Sequence, residues 1–448
     1  MDVISSRLLQ NHAGAASSAV TEDHVPVGVR RSKSKPLAGA YVALLLFVVA
    51  YFARPEDWTP GLSHVPLAKI TAALAVVGFV LSLRYVRWPL PREVIYLILL
   101  VGQFLISASL SPVWRGAAVQ KTLEFGKVAV VVLVIASAVI TSGRFRRLIF
   151  VQAASVALIA TISVWKGHLV SKRLAGLFSG NYSNPNDLAL AIVMALPLCL
   201  ALLLTSRGPF SKVVWAAAMV VMTYAIFLTG SRGGFVALVV SATLCLWEFA
   251  LRRRHRYLLV LTAVLTIFFL QFSPKMLTNR LRATFSSNAD DKAYSSAQAR
   301  EQLLRRSIEI TAKHPLFGVG PGNFEIVSGS WHVSHNTLTE LSSEGGLPAF
   351  VLFLLILSRG FENVRKIKKS IRKHRSLGVF AGGLYASLGG YVIGSMFSST
   401  AYQFFPYLLI AYTTALQLIA KDSSKKERRA VNRVPTQLCA YETEPCAG

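Results

Sequence analysis

Four polar clusters in an otherwise apolar sequence carry the side chains best suited to binding an anionic substrate. They contain three arginines and one histidine of particular interest, and they lie at 173–189, 229–235, 299–325 and 330–346. The guanidinium group stays charged at any relevant pH, and its planar fork matches the oxygens of a phosphate group. A neutral imidazole can take a proton from a hydroxyl. These residue types favour a site that binds a phosphate-bearing substrate and activates a hydroxyl.

Each cluster also has a purely structural interpretation, and the sequence leaves both open. Asn184 and Asn186, in the segment NPND, are residues that can simply begin a helix. Arg232, in TGSRGGF, could extend its head group to the membrane surface, although its flanking glycines also allow a ligand to approach closely. His335 could be a solvated loop histidine. Its position at the beginning of a broken helix makes a functional role equally plausible.

The third cluster predicts a helix that begins near Ser295 and ends before Pro315. At helical spacing Arg300 shares one face with Leu303, Leu304, Ser307 and Ile308. An arginine on an inward-facing surface requires an anion. The GVGPG turn that follows lacks the strand and spacing of a dinucleotide fingerprint, and the outer clusters contain no metal-ligand spacing. We therefore predict no cofactor and no metal.

The elements that must position these clusters are membrane-spanning helices. The chain has 448 residues, of which 53% are hydrophobic and 15% charged, with a mean hydropathy of +0.49. Its apolar residues come in blocks of about seventeen to twenty, which is the length of a transmembrane helix. We predict an all-α, polytopic integral membrane protein with about 12 transmembrane helices. The predicted spans are 37–53, 66–83, 94–110, 123–141, 148–165, 188–205, 213–229, 233–251, 257–273, 338–358, 377–398 and 402–420.

The charge distribution predicts the orientation of these spans. The 48 Lys and Arg against 21 Asp and Glu give a net charge of +27, and most of the excess lies in the connections that follow even-numbered spans. Such connections face the cytoplasm. The prediction is a cytoplasmic tail at 1–36, a membrane domain at 37–420 with one large periplasmic loop at 274–336, and a cytoplasmic tail at 421–448. The charge thus indicates membrane topology, with membrane lipids and no nucleic acid as partners; if the membrane is a bacterial inner membrane, the outer side is the periplasm.

Three features of the helices carry local predictions. Glu124 and Lys127 lie one turn apart and could pair with each other or line a cavity. The spaced glycines of the eleventh span favour close helix packing. The tenth span is apolar only from Leu347, so its helix should begin near Asn336 and break around Gly345 and Gly346. A polar helix start within the membrane needs protein or water around it, which implies a cavity.

The four clusters together resemble the lipopolysaccharide O-antigen ligase and polymerase superfamily of bacterial inner membranes. The matching signatures, in order, are R-x-x-G-x-F with NPNDLA, GSRGG, HPLFGVGPGNF and HNTLTELSSEGGLPAFVLF. The resemblance covers roughly residues 37–420. Here Leu347 and Pro348 follow Gly346 where the family often has a more regular helix.

The resemblance implies a metal-independent, inverting glycosyltransferase with an undecaprenyl-pyrophosphate-linked glycan as donor. The acceptor hydroxyl would lie on lipid A-core, on another glycan or on a protein. By motif, Arg232 and Arg300 would bind the pyrophosphate and His335 would orient or deprotonate the acceptor. Further substrate-binding residues would be Arg173, Asn184, Asn186, Ser231, Asn336 and Glu344.

Three other functions remain open from the sequence. A polysaccharide polymerase or a protein O-oligosaccharyltransferase of the same superfamily would use the same motifs. A lipid-linked glycan flippase or transporter is the non-enzymatic alternative, but it should carry its functional charges near the middle of the membrane. The notable charges of this sequence lie instead at the predicted outer boundary.

Overall fold

The computed structural model describes residues 37–431 except for 60, 63, 82–89, 167–168, 171–172, 177–181, 183, 252–255, 258, 261–290 and 371–374. Helices dominate this part of the chain, and a two-stranded antiparallel ribbon is formed by β1 (Leu169–Val170) and β2 (Arg173–Leu174). In chain order the helices are α1 (Ala38–Phe52), α2 (Pro55–Trp58), α3 (Leu67–Val80), α4 (Arg92–Ser109), α5 (Arg115–Ala138), α6 (Ser142–Lys166), α7 (Pro185–Thr205), α8 (Pro209–Thr229), α9 (Arg232–Cys245, continued by a π-helix at Leu246–Leu251), α10 (Asp291–Lys313), α11 (Phe324–Val327), α12 (Thr337–Ser370), α13 (Arg375–Ser395) and α14 (Phe404–Val431).

The helices confirm the predicted fold class. In the described chain, 8 helices are long and apolar enough to cross a membrane, namely α4, α6, α7, α8, α9 with its π-helical continuation, α12, α13 and α14. Helices α1 and α3 are shorter and apolar, and α5 carries three charged residues in its first half. Every predicted span coincides with a helix except 257–273, most of which lies outside the described residues. The exact number of spans and their orientation stay predictions.

Helix α13 packs closely against α7 and α9, as its glycines predicted. A Cβ on Gly390 would lie 2.9 Å from Val193 Cγ1, and one on Gly394 would lie 2.3 Å from Leu190 Cδ1. Such distances leave no room for a side chain. The glycines therefore allow the helix backbones to approach closely. In lipid, where helices have no hydrophobic driving force to associate, such close packing stabilises their association.

Helix α12 extends further than the predicted span because buried polar contacts fix its second half. Asn363 Nδ2 donates to Glu93 Oε1 at 2.6 Å, and Lys368 Nζ lies 2.5 Å from Glu248 Oε1. Glu93 is 3% exposed, so the charge is compensated within the protein rather than by solvent. These contacts join the second half of α12 to α4 and to the end of α9. His335 lies at the other end of α12, just before its first residue.

The first half of α12 is interrupted at Gly346, as predicted. Gly346 has φ 78° and ψ 176°, and a Cβ there would lie 2.4 Å from Leu316 O. The interruption frees backbone groups that the GVGPG segment then satisfies. Val319 N donates to Ser343 O at 2.9 Å and Gly320 N donates to Glu344 O at 3.0 Å. Non-helical backbone within a membrane domain is tolerated where protein provides such partners.

Candidate active site

The first two polar clusters form one hydrogen-bonded unit. Arg173 Nε donates to Thr229 O at 2.8 Å, and its Nη2 donates to Asn186 Oδ1 at 2.9 Å. The same Asn186 oxygen accepts a hydrogen bond from Ser231 Oγ at 2.8 Å. The β2 strand, the beginning of α7 and the beginning of α9 are therefore joined through side chains that the sequence had placed in separate motifs.

This unit fixes the position of Arg232 as the first residue of α9. Ser231 caps the helix by accepting a hydrogen bond from Gly234 N at 3.1 Å. A Cβ on Gly233 would lie 2.4 Å from Phe397 Cβ, so the helix start packs directly against the 396–403 loop. The positive charge of Arg232 adds to the positive end of the helix dipole, and this combination favours an anion nearby.

The helix-cap interpretation of Asn184 is confirmed. Asn184 Oδ1 accepts a hydrogen bond from Asn186 N at 2.9 Å at the beginning of α7. Asn336 does the same for α12, since its Oδ1 accepts from Leu338 N at 2.9 Å. In the structure each of these side chains caps the beginning of a helix. Their predicted substrate-binding role stays a prediction.

Helix α10 begins at Asp291, earlier than predicted, and its buried face is rotated from the predicted one. The buried residues are Leu303, Ser307 and Ile310, so the stripe begins at half-buried Arg300, as expected. Leu304 is 37% exposed and Ile308 is 57% exposed; their predicted burial is wrong. The helix docks through a narrow stripe on the cluster that includes Val319 and Phe324.

Arg232, Arg300 and His335 lie close enough for their charges to interact. Burial and the charge of Arg232 lower the pKa of Arg300. Burial, Arg300 and then His332 lower the pKa of His335 to about 4. Two neighbouring guanidinium groups repel each other unless an anion lies between or beside them. An imidazole with this pKa is neutral at pH 7 and can accept a proton.

The backbone of His335 is held in an unusual conformation. Its φ is 54°, in the left-handed region that costs a non-glycine residue about 1–2 kcal/mol. The backbone N–H of His335 donates to Ser399 Oγ at 3.0 Å, and Ser399 Oγ also contacts Ser334 Oγ at 3.2 Å. Backbone strain of this kind is common at functional sites, where surrounding contacts maintain it.

Glu344 connects the GVGPG segment with α12 and the 396–403 loop. Its carboxylate accepts hydrogen bonds from Gly322 N at 2.8 Å, Phe324 N at 3.2 Å and Tyr402 Oη at 2.5 Å. The side chain is 3% exposed. The carboxylate is thus held by protein donors at the edge of a cavity, and it positions the loop that covers α12.

Sequence reasoning missed two residues of α4, and Ser111 just after it, that hold this region. Gln103 Nε2 donates to Leu316 O at 2.8 Å and to Gly345 O at 2.9 Å. Ser107 Oγ donates to Glu344 O at 2.7 Å, and Ser111 Oγ donates to Val319 O at 2.6 Å. The sequence contained a signal for them, because these three polar residues recur every four positions along an apolar helix and just past its end.

A cavity of about 500 Å³ lies beside the His335 turn. Its wall includes Ser334 and Ser399 from the contacts of that turn, together with Glu344. Glu124 and Lys127 of α5 also line it, which confirms the second of the two roles predicted for them. The volume lies within the range of about 300–1,000 Å³ that is typical of small-molecule sites.

The contacts of Glu344 lead to a prediction for the variant Glu344→Gln. Glutamine replaces one acceptor oxygen by an NH₂ group that faces donors, so buried N–H or O–H groups lose their partner. The free energy of unfolding should fall by about 1–3 kcal/mol, measured as a lower melting temperature of the purified protein in detergent. Glu309→Gln, on the exposed face of α10, is the control and should melt like wild type. Equal melting of both variants would contradict the positioning role.

The fold and this site together define a multi-pass membrane protein with an arginine-rich candidate site beside a cavity. A model of the family described as O-Antigen ligase matches residues 217–354. The matched segment contains Arg232, Arg300 and His335, whereas Arg173, Asn184 and Asn186 lie before it. A search of curated proteins gave no match. Over residues 217–354 the family match confirms the resemblance to the O-antigen ligase superfamily, and it supports an enzyme of glycan biosynthesis.

Proposed function

We propose that this protein is a membrane glycosyltransferase that moves a glycan from an undecaprenyl-pyrophosphate donor to an acceptor hydroxyl. The observation that carries the proposal is the grouping of Arg232, Arg300 and His335, whose charges act on one another within the segment matched by the family. Two guanidinium groups beside a neutral imidazole suit a reaction in which a pyrophosphate leaves while a hydroxyl loses its proton.

The proposed reaction is a single displacement at the anomeric carbon. The acceptor oxygen forms the new bond to that carbon, the bond to the pyrophosphate oxygen breaks, and its electron pair stays on the pyrophosphate. Attack opposite the leaving group inverts the configuration. The proton of the acceptor moves to a ring nitrogen of His335. Arg232 and Arg300 stabilise the charge that grows on the pyrophosphate, a contribution of about 2.7–4 kcal/mol per donor in comparable sites.

The same chemistry serves three related functions, which differ only in the acceptor. Lipid A-core as acceptor gives an O-antigen ligase, a lipid-linked glycan gives a polymerase, and a protein hydroxyl gives an O-oligosaccharyltransferase. The proposed location is a bacterial inner membrane, with both termini in the cytoplasm and the active site in the periplasm. This orientation rests on the basic connections between spans. The proposal includes no metal, because the arginines take the electrostatic role.

A transfer assay with purified protein tests this function. The protein is reconstituted with an undecaprenyl-pyrophosphate glycan and, in parallel, with lipid A-core, a second lipid-linked glycan or a serine-containing peptide. We expect glycan transfer to one acceptor class, with release of undecaprenyl pyrophosphate and full activity in excess EDTA. Absence of transfer to all three would contradict the function. Loss of activity in EDTA that added divalent metal restores would contradict only the metal-independent mechanism.

A further inference from the structure

Part of helix α10 that the sequence predicts as buried is exposed in the structure. Leu304 and Ile308 lie one turn apart on the same face and are 37% and 57% exposed, and we call this pair the exposed strip. Leu303 and Ile310, on the adjacent face, are buried against the protein. A contiguous apolar surface that a protein leaves exposed indicates a partner protein or a membrane. The residues around the exposed strip decide between the two.

The turn after α10 extends the exposed strip towards the membrane spans. Leu316 and Phe317 are 61% and 38% exposed. Leu347 N, in α12, donates to Pro315 O at 2.7 Å, so the turn lies directly beside α12 at the position where its apolar part begins. From this position an exposed apolar series continues along the helix with Leu347, Val351, Leu354 and Leu355. Because α12 is long and apolar enough to cross a membrane, lipid surrounds this series.

Helix α4 borders the same turn. Gln103 Nε2 donates to Leu316 O at 2.8 Å. Leu105 and Ile106, in the next turn of α4, are 41% and 48% exposed, and α4 is also long and apolar enough to cross a membrane. The turn after α10 thus lies between two spans with exposed apolar side chains. Lipid that covers both spans also borders Leu316 and Phe317.

The side of α10 that follows the exposed strip around the helix is charged. Arg305 pairs there with Glu301 at 2.8 Å, and Glu309 and Lys313 are exposed as well. Helix α10 therefore has three faces, namely a narrow one that packs on the protein, an apolar one and a charged one. A helix with an apolar face and a charged face lies in the plane of the membrane interface. Its apolar face then enters the boundary between head groups and acyl chains by about 5–10 Å.

We propose that α10 is an interfacial helix whose exposed strip, together with Leu316 and Phe317, inserts into the lipid leaflet on the side where α12 begins. The partner is lipid rather than a second protein, because the apolar surface of α10 continues through the turn into the lipid-facing sides of α4 and α12. The broad apolar face predicted from the sequence is thus divided between the protein, which buries Leu303, and lipid, which covers Ile308. Lipid contact also holds Arg300, on the same helix, at a fixed level relative to the head groups.

Spin labelling of the full chain in lipid bilayers tests this assignment. Cys439→Ser and Cys446→Ser remove the cysteines of the C-terminal tail, and the other two cysteines are buried. A nitroxide is attached to Ile308→Cys or, as the matched control on the charged face, to its neighbour Glu309→Cys. Its relaxation is measured with molecular oxygen, which concentrates in lipid, and with a water-soluble nickel chelate. The ratio of oxygen to nickel relaxation should be severalfold higher at position 308 than at position 309.

Three outcomes of this measurement would overturn the proposal. A ratio at position 308 as low as at position 309 would show that the exposed strip faces water. Weak relaxation at position 308 by both reagents would show that protein, from the same chain or from a second copy, covers the strip. Leu316→Cys provides a second position beside the spans, and a ratio there as low as at position 309 would show that the turn does not reach lipid. The measurement needs no substrate, so its result is independent of the proposed function.

Discussion

Replacing His335 by alanine should lower glycan transfer about a hundredfold to ten-thousandfold, the usual cost of removing a general base. A sugar hydroxyl is a poor nucleophile at neutral pH, and the neutral imidazole accepts its proton as the new bond forms. The measurement is the initial rate of transfer from the lipid pyrophosphate donor. The control is His314→Ala, which removes an exposed histidine at the end of α10 and should retain most activity.

The pH dependence of the same assay checks the state of His335. Burial, Arg300 and His332 lower its pKa to about 4, so the imidazole is neutral above that pH and becomes protonated only as the pH falls through it. Transfer should therefore persist through pH 6.5, where an ordinary histidine is half protonated, and be lost towards pH 4. A half-maximal rate near pH 6.5, or full activity of His335→Ala, would contradict the assigned base.

The sequence predicts the helices better than it predicts their contacts. Apolar blocks place the spans because the bilayer sets a length and a polarity that few other structures share. The interruption at Gly346 is equally predictable from the sequence, since glycine and proline in a short apolar helix indicate non-helical backbone. These features depend on local composition, and the helices of the described chain confirm them.

The face that α10 buries depends on partners distant in the sequence. Arg300, Leu303 and Ser307 lie on one edge of a broad apolar face, and Leu304 lies on the other. Periodicity cannot choose between two adjacent faces of a helix. The choice is made by Val319 and Phe324, which the GVGPG segment brings to the helix after the chain has turned.

The candidate site likewise combines residues that the sequence predicts with contacts that it does not predict. The arginines and His335 could be selected by residue type, because their chemistry is unusual in apolar surroundings. The hydrogen bonds of Glu344 and Gln103 could not. Gln103 Nε2 donates to Gly345 O where α12 is interrupted, and Glu344 accepts from Gly322 N, in the turn before α11. The motif led us to predict a substrate-binding role for Glu344, which stays a prediction, whereas its contacts hold the loops around α12 in place.

The variants Arg232→Lys and Arg300→Lys should each lose most activity, with kcat lower by about a hundredfold to a thousandfold, as for other donors that stabilise transition-state charge. Lysine keeps the positive charge and loses the planar fork that binds two phosphate oxygens at once. The substitutions should slow the chemical step and weaken binding of the donor, whereas the KM for the acceptor should change little. Melting temperatures of the purified variants show whether the fold is intact.

Arg305→Ala provides the matched comparison on α10. Arg305 pairs with Glu301 at 2.8 Å on the exposed side of the helix, and such a surface pair contributes about 0–1 kcal/mol. Its removal should leave transfer near the wild-type rate, although Arg300 and Arg305 lie only five residues apart. If both lysine variants also transferred near the wild-type rate, the assignment of the pyrophosphate to Arg232 and Arg300 would be wrong. The leaving group would then have to be stabilised by other cations of the protein.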